Sequence, residues 1–212
     1  MTKVAICDDH KIVREGLKQI INEFDGFEVV IEAESGEQLI NKLRDIEVDL
    51  LILDVSLPGR SGLEVLKQIK GMQPDLGVLV LSMYPEDQFA IRMLKAGASG
   101  YLHKDSAPEV LKQALSTISN GGEYLSDKIT KLLYREMSSN GDELPHKRLS
   151  DREYEVLLYI GEGKSISEIA AQLSLSVKTI STYRTRILEK MNIENNSDMV
   201  KYIMLHDLGV GQ

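Results

Sequence analysis

Five polar side chains stand at the ends of short apolar runs. Asp8 and Asp9 follow "KVAIC", Asp54 follows "DLLIL", Ser82 closes "GVLVLS", and Lys104 follows "GYLH". If those runs are parallel strands, all five groups meet along one sheet edge. Three crowded carboxylates repel one another, and leaving them unpaired is costly. A hard divalent cation such as Mg²⁺ relieves that repulsion, because it takes carboxylates, a carbonyl and waters as ligands. Lys104 adds a further counter-charge. In that setting a carboxylate serves as the nucleophile of phosphoryl transfer and becomes an aspartyl phosphate. The metal and Lys104 would offset charge on the phosphoryl oxygens, and the Ser82 hydroxyl would donate to one of them. Taken alone, Asp54 reads equally well as a helix cap or a salt-bridge partner. Its place beside a cation, a hydroxyl and two other acids favours chemistry.

The elements that must hold these groups alternate between two periods. The runs "KVAIC", "FEVVIEA", "DLLILD", "GVLVLS" and "GYLHK" have strand length. "IVREGLKQIINEF", "EQLINKLRDI", "GLEVLKQIKGM", "DQFAIRMLKAG" and "APEVLKQALSTISNG" have helical spacing. Five strand–helix units predict an α/β domain over residues 1–120, a flavodoxin-like (βα)5 doubly wound sheet. Ligands of such sheets lie beyond the carboxyl ends of the strands. Residues 121–147 read as a helical and polar linker. In it "EYLSDKITKLLYREM" is expected to form one helix, and "SSNGDELPHKR" carries Gly and Pro punctuation. Residues 148–212 read as a small all-α domain.

Composition narrows the field. The chain has 212 residues, 42% hydrophobic and 27% charged, as in an ordinary globular protein. No apolar run approaches the roughly 18 residues that span a bilayer, and "MTKVAICDDH" reaches its acidic pair too soon for a signal peptide. No membrane partner is expected. The single cysteine, Cys7, rules out an internal disulfide framework, fits a reducing cytoplasm, and reads as a buried small hydrophobe. The net charge of −8 argues against nucleic acid, but it is unevenly spread: 148–212 hold eight Lys and Arg against nine Asp and Glu. His10 and His103 lack a metal-ligating partner at a suitable spacing, with His10 beginning the first helix and His103 facing away from Lys104. His146 falls in the linker and His206 near the carboxyl terminus.

Within 148–212, "SISEIAAQL" and a helix over 177–191 are joined by a tight turn, with Ser176 placed to cap the second helix. Val177, Ile180, Ile187, Leu188 and Met191 form its apolar stripe, and Arg184 interrupts it. Its open face carries Lys178, Ser181, Thr182, Thr185 and Arg186, with Lys190 one turn on. Four basic residues against Glu189 alone lie between Ser176 and Met191. That is the footprint of a helix-turn-helix entering the major groove; a solvated basic face is the other reading.

Here the motifs match known families. "CDDH", "LILDVSLPGRSG", "VLS" and "GASGYLHKD" resemble the receiver domain of bacterial two-component response regulators. "LSDREYEVL", "SISEIAAQL" and "SVKTISTYRTRILEKM" resemble the LuxR-type DNA-binding domain. The whole chain thus resembles a NarL/FixJ-type response regulator. The resemblance implies Asp54 as phosphoacceptor, and Mg²⁺ held by Asp8, Asp9, Asp54 and the carbonyl of Ser56. It implies Ser82 and Tyr101 as switch residues, Tyr101 turning inward on phosphorylation, and Lys104 on the phosphoryl group. Ser56 and Tyr84 match positions that influence the lifetime of the phosphate.

The implied partners are a sensor histidine kinase, promoter DNA and a second copy of the chain on activation. The implied DNA-binding set is Lys178, Thr179, Ser181, Thr182, Tyr183, Thr185, Arg186 and Lys190. Ser181, Thr182 and Thr185 are expected on bases, and Lys178, Tyr183, Arg186 and Lys190 on the backbone. Two departures stand out, because many relatives carry lysines where Ser181 and Thr185 stand. Arg184 replaces a commonly apolar residue, and is expected to reach a phosphate or lie over Tyr183. Beyond slow autodephosphorylation no enzyme activity is expected. The rival readings are an aspartate-nucleophile phosphohydrolase, a phospho-independent DNA-binding regulator and a protein-interaction adaptor. A second acid two residues after the nucleophile would mark the phosphohydrolase, and Ser56 stands there instead.

Overall fold

The computed structural model describes residues 1–138, 144–206 and 208. Two compact units divide the chain, Met1–Leu133 and Tyr134–Gln212. In the first, β1 (Thr2–Cys7), β2 (Phe27–Ala33), β3 (Leu50–Leu53), β4 (Gly77–Ser82) and β5 (Gly100–His103) alternate with α1 (Lys11–Asn22), α2 (Gly36–Lys42), α3 (Gly62–Met72), α4 (Glu86–Lys95) and α5 (Pro108–Ser119). The sheet is parallel, in the order β2-β1-β3-β4-β5.

The continuous apolar character of β3, "LLIL", follows from burial on both faces. Val4, Ile6, Leu50, Ile52, Leu79 and Leu81 pack with Leu17 and Ile21 of α1 and Leu111, Leu115 and Ile118 of α5. Their alternates Ala5, Cys7, Leu51, Leu53, Val78 and Val80 are equally buried. Strand order reverses between β1 and β3, which are paired Cys7 to Leu53, so the residues after them emerge side by side. The Asp54 amide donates to the Cys7 carbonyl at 2.9 Å and fixes that junction. A Cβ at Gly62 would collide with the Asp54 carbonyl, so only glycine lets α3 begin so close. A capping box, Ser61 with Glu64, starts α3 there.

Two helix boundaries differ from the sequence expectation. Helix α2 ends at Lys42, and does not run through "LRDI". "EYLSDKITKLLYREM" is not one helix: α6 covers Asp127–Ser138, and Tyr124 forms a parallel bridge to Gly100 instead. The Tyr124 amide donates to the Ser99 carbonyl, and Ser126 caps the helix through Oγ, which accepts from the Ile129 amide. Ile129 is fully buried, so the first half of the expected linker belongs to the first unit. Residues 139–143 of that linker lie outside the described residues.

The second unit contains a 3₁₀ turn (Pro145–Arg148), α7 (Asp151–Gly161), α8 (Ile166–Gln172), α9 (Val177–Met191) and α10 (Asn196–Leu205). Capping boxes Ser150/Glu153 and Ser165/Glu168 start α7 and α8. Ser174 and Asn192 take positive φ on either side of α9, and set the turn before it and the stop after it. Helix α9 packs on α7 and α8 through Ile180, Ile187 and Met191. Among the described residues no helix is long and apolar enough to cross a membrane.

Candidate functional site

Four of the strand-end groups, Asp8, Asp9, Asp54 and Lys104, converge. Lys104 Nζ lies 2.6 Å from Asp8 Oδ2 and 2.7 Å from Asp54 Oδ2, bridging the ends of β1, β3 and β5. Asp8 and Asp54 are 2% and 3% exposed, so neither carboxylate is screened by bulk water. The Asp54 carboxyl is pushed up to about 6 by burial first, with Asp8 adding to the effect and Lys104 opposing it. Burial also disfavours the charge on Lys104, yet Asp54 and Asp8 outweigh it and hold the ammonium above the usual lysine range. The neighbouring Cys7 thiol is pushed far up by burial and by the same acids, which keeps it protonated and inert, as a buried hydrophobe should be.

Carboxylate oxygens of Asp8, Asp9 and Asp54 and a nitrogen of His10 all lie within 4.8 Å of one another. Hard oxygen donors in excess over their single ammonium are the donor chemistry a divalent cation requires, so the residues fit one. His10 corrects a sequence expectation. It does precede α1, but its Nδ1 lies 2.7 Å from Asp9 Oδ1 and 3.4 Å from Asp8 Oδ1, inside the acidic cluster. Arg14, not singled out in the sequence, donates to the Asp8 carbonyl at 2.6 Å from the first turn of α1. A basic residue one turn after an acidic pair was the available signal.

Ser82 and Tyr101 are fully buried and grip one segment. Ser82 Oγ accepts from the Tyr84 amide at 3.1 Å, and the Tyr101 hydroxyl donates to the Tyr84 carbonyl at 2.8 Å. Tyr101 therefore points inward, and Tyr84 joins Ser82 and Tyr101 through its backbone. Burial raises the Tyr101 phenol, so it stays a donor at neutral pH. His103 bonds the Met83 carbonyl through Nε2 on the same segment.

The charge balance at Asp54 has a measurable consequence. Its folded pKa lies above its ordinary value of 3.8, so the folded state holds more protons than the unfolded state between those limits. Stability then falls as pH rises through that window, by about 3 kcal/mol for a shift of about two units. Thermal melts of the full chain with a chelator present should show the transition of the first unit dropping from pH 4.5 to 7.5, and Asp54→Asn should flatten that slope. Parallel slopes for both proteins would refute the assignment.

On the second unit, Ser176 caps α9 as expected, its Oγ accepting from the Thr179 amide at 3.0 Å. Lys178, Ser181, Thr182, Thr185 and Arg186 are exposed on one face, with Thr179 and Tyr183 half-buried at its border. Three expectations for this region change. Val177 is 50% exposed and does not join the buried stripe. Arg184 is held by Asn196, its Nε donating to Asn196 Oδ1 at 2.6 Å, a partner the sequence did not indicate. His146 is no linker residue: it is buried, and its Nδ1 lies 2.9 Å from the Tyr202 hydroxyl. Lys190 Nζ sits 2.6 Å from Glu153 Oε2, a carboxylate 2% exposed.

Comparison with known proteins identifies the families of both domains. Residues 4–116 match the response regulator receiver domain, and residues 147–203 match the bacterial regulatory proteins of the luxR family. Response regulator UvrY of Escherichia coli K12 is 33% identical over 98% of this chain and 96% of its own. Response regulator GacA of Pseudomonas aeruginosa is 33% identical over 98% of both chains. RcsB of Salmonella enterica serovar Typhimurium, solved on the promoter P1flhDC with the phosphomimetic BeF3⁻, superposes with a TM-score of 0.65 at 32% identity, covering 95% of this chain and 98% of that one.

Proposed function

Because this chain belongs to the NarL/FixJ-type two-component response regulators, with a receiver and a LuxR-type DNA-binding domain, we propose that it is a phosphorylation-gated transcription factor using Asp54 as its acceptor. The observation that carries this reading is Lys104 bridging two buried carboxylates at the strand-order reversal. An Asp54 oxygen attacks the phosphorus of a phosphohistidine on a sensor kinase. The new P–O bond forms as the P–N bond breaks, and the histidine nitrogen departs with the electron pair. Lys104 and Ser82 receive the phosphoryl oxygens. Asp8, Asp9, Asp54 and the Ser56 carbonyl would hold Mg²⁺, which when bound neutralises charge on the transferred group.

Phosphorylation adds about 1.5 to 2 negative charges beside Lys104 and Ser82. Drawing the Ser82 hydroxyl toward a phosphoryl oxygen competes with its bond to the Tyr84 amide. The Tyr101 bond to the Tyr84 carbonyl carries that change to the surface of β4, α4 and β5. The activated chain then dimerises and reads two half-sites with helix 177–191. Lys178, Thr179, Tyr183 and Arg186 would meet the phosphate backbone, and Ser181, Thr182 and Thr185 the bases. The acyl phosphate hydrolyses slowly, and the protein works in the cytoplasm.

The test is a DNA-binding titration at fixed salt with a fragment from upstream of the protein's own gene. Full-length protein treated with Mg²⁺ and acetyl phosphate is expected to bind about tenfold tighter than untreated protein, a coupling of roughly 1.4 kcal/mol. Equal affinities would leave a phospho-independent DNA-binding regulator. Absence of DNA binding in both states would leave an adaptor.

A further inference from the structure

Both threonine hydroxyls on the exposed face of α9 have their protons already committed. Thr182 Oγ1 donates to the Lys178 carbonyl at 3.0 Å, and Thr185 Oγ1 donates to the Ser181 carbonyl at 3.1 Å. This back-bonding to the preceding turn locks each threonine rotamer. What remains for a docking partner is a γ-methyl and an acceptor lone pair. Val177, half exposed on the first turn of the same helix, adds two more methyls.

Base edges differ in what they offer such a surface. Guanine presents two acceptors in the major groove, N7 and O6, which a spent hydroxyl cannot satisfy. An A·T pair presents the thymine C5-methyl for apolar contact and the adenine N6 donor for an acceptor lone pair. Both complements are present on this face. We infer that the recognition helix reads A·T pairs by packing Val177 and the γ-methyls of Thr182 and Thr185 against thymine methyl groups. This deepens the DNA-binding reading given above and rests on it. Lys178 and Arg186, on the same face, then serve the phosphates and not guanine.

The test removes the methyl from the DNA, which leaves the protein's folding untouched. Sites are selected from randomised duplexes with the full chain treated with Mg²⁺ and acetyl phosphate. Each thymine of the selected site is then replaced by deoxyuridine, and affinities are compared at fixed salt. Thymine is expected at the contacted positions, and each contacted methyl should be worth about fourfold in affinity. At one of those positions Thr185→Ser, which keeps the hydroxyl, should abolish the thymine-to-uracil ratio. Thr185→Val, which keeps the methyl, should preserve it. Equal binding of thymine and deoxyuridine duplexes at every position overturns the inference. So does a ratio that survives Thr185→Ser and is lost in Thr185→Val. Failure to select any sequence overturns the DNA-binding reading itself, a separate and distinguishable result.

Discussion

Replacing Asp54 by asparagine is expected to reduce phosphoryl incorporation from labelled acetyl phosphate to background, a loss of at least about a hundredfold. Three carboxylates share the site, and their commitments decide which of them attacks. Asp8 has both oxygens engaged, Oδ1 by the His10 amide at 2.8 Å and Oδ2 by Lys104. Asp9 Oδ1 is held by the His10 ring. Asp54 has one oxygen on Lys104, while the other meets only the Ser56 amide at 3.3 Å, a long contact that leaves a lone pair accessible. Its carboxyl, raised to about 6, is also more basic than an ordinary aspartate, yet mostly ionised at neutral pH. Acid-labile, hydroxylamine-sensitive label on the unaltered chain and none on Asp54→Asn is the expected record. Label persisting at comparable yield in the variant would move the nucleophile to Asp8 or Asp9.

The placement of Asp54 was legible in the sequence because its determinants are short-range. A short apolar run that ends on a polar group specifies a buried parallel strand, and five strand–helix units bring those ends to one edge. The packing between elements was less legible. Nothing in "EYLSD" announces that Tyr124 bridges Gly100, since an isolated bridge needs only one residue of suitable backbone. Helical spacing continued through Glu123–Ser126 and concealed it. His10 looked like a bland helix start because its partner acids are sequence neighbours, and only backbone geometry decides whether a ring turns toward them. Val177 satisfied the period of the buried stripe, yet it lies on the first turn of α9 and escapes burial. Periodicity assigns a face to a residue but does not say how far the covering elements extend along the helix.

Lys190 presents the sharpest divergence between pattern and packing, and removing its partner should produce the largest change in the second unit. On sequence grounds its charge belongs to the DNA backbone. In the structure its ammonium lies on Glu153, which also closes the capping box by accepting from the Ser150 amide at 2.7 Å. Burial disfavours charge on Glu153, yet Lys190 and the Ser150 groups outweigh it and hold the carboxyl below the usual glutamate range. That pair ties the last turn of the recognition helix to the first turn of α7. Glu153→Ala removes a capping contact worth about 1 kcal/mol and an ion pair whose ammonium is 40% exposed, worth about 1 kcal/mol more, for a combined loss of about 2 kcal/mol. In calorimetry of the full chain the transition of the second unit should fall by about 10 °C while the receiver transition holds. Glu168→Ala, which removes the equivalent box on α8, should cost only the capping share. Because the folded Glu153 carboxyl is depressed, its contribution is present at neutral pH and lost as pH falls through that lowered value. Lys190→Met separates anchor from phosphate contact. An anchor lowers stability and leaves the salt dependence of DNA binding unchanged, whereas a phosphate contact reduces the slope of log K against log salt by about one per bound subunit. We expect the first result, because an ammonium already satisfied by a buried carboxylate releases no counterion when the helix enters the groove.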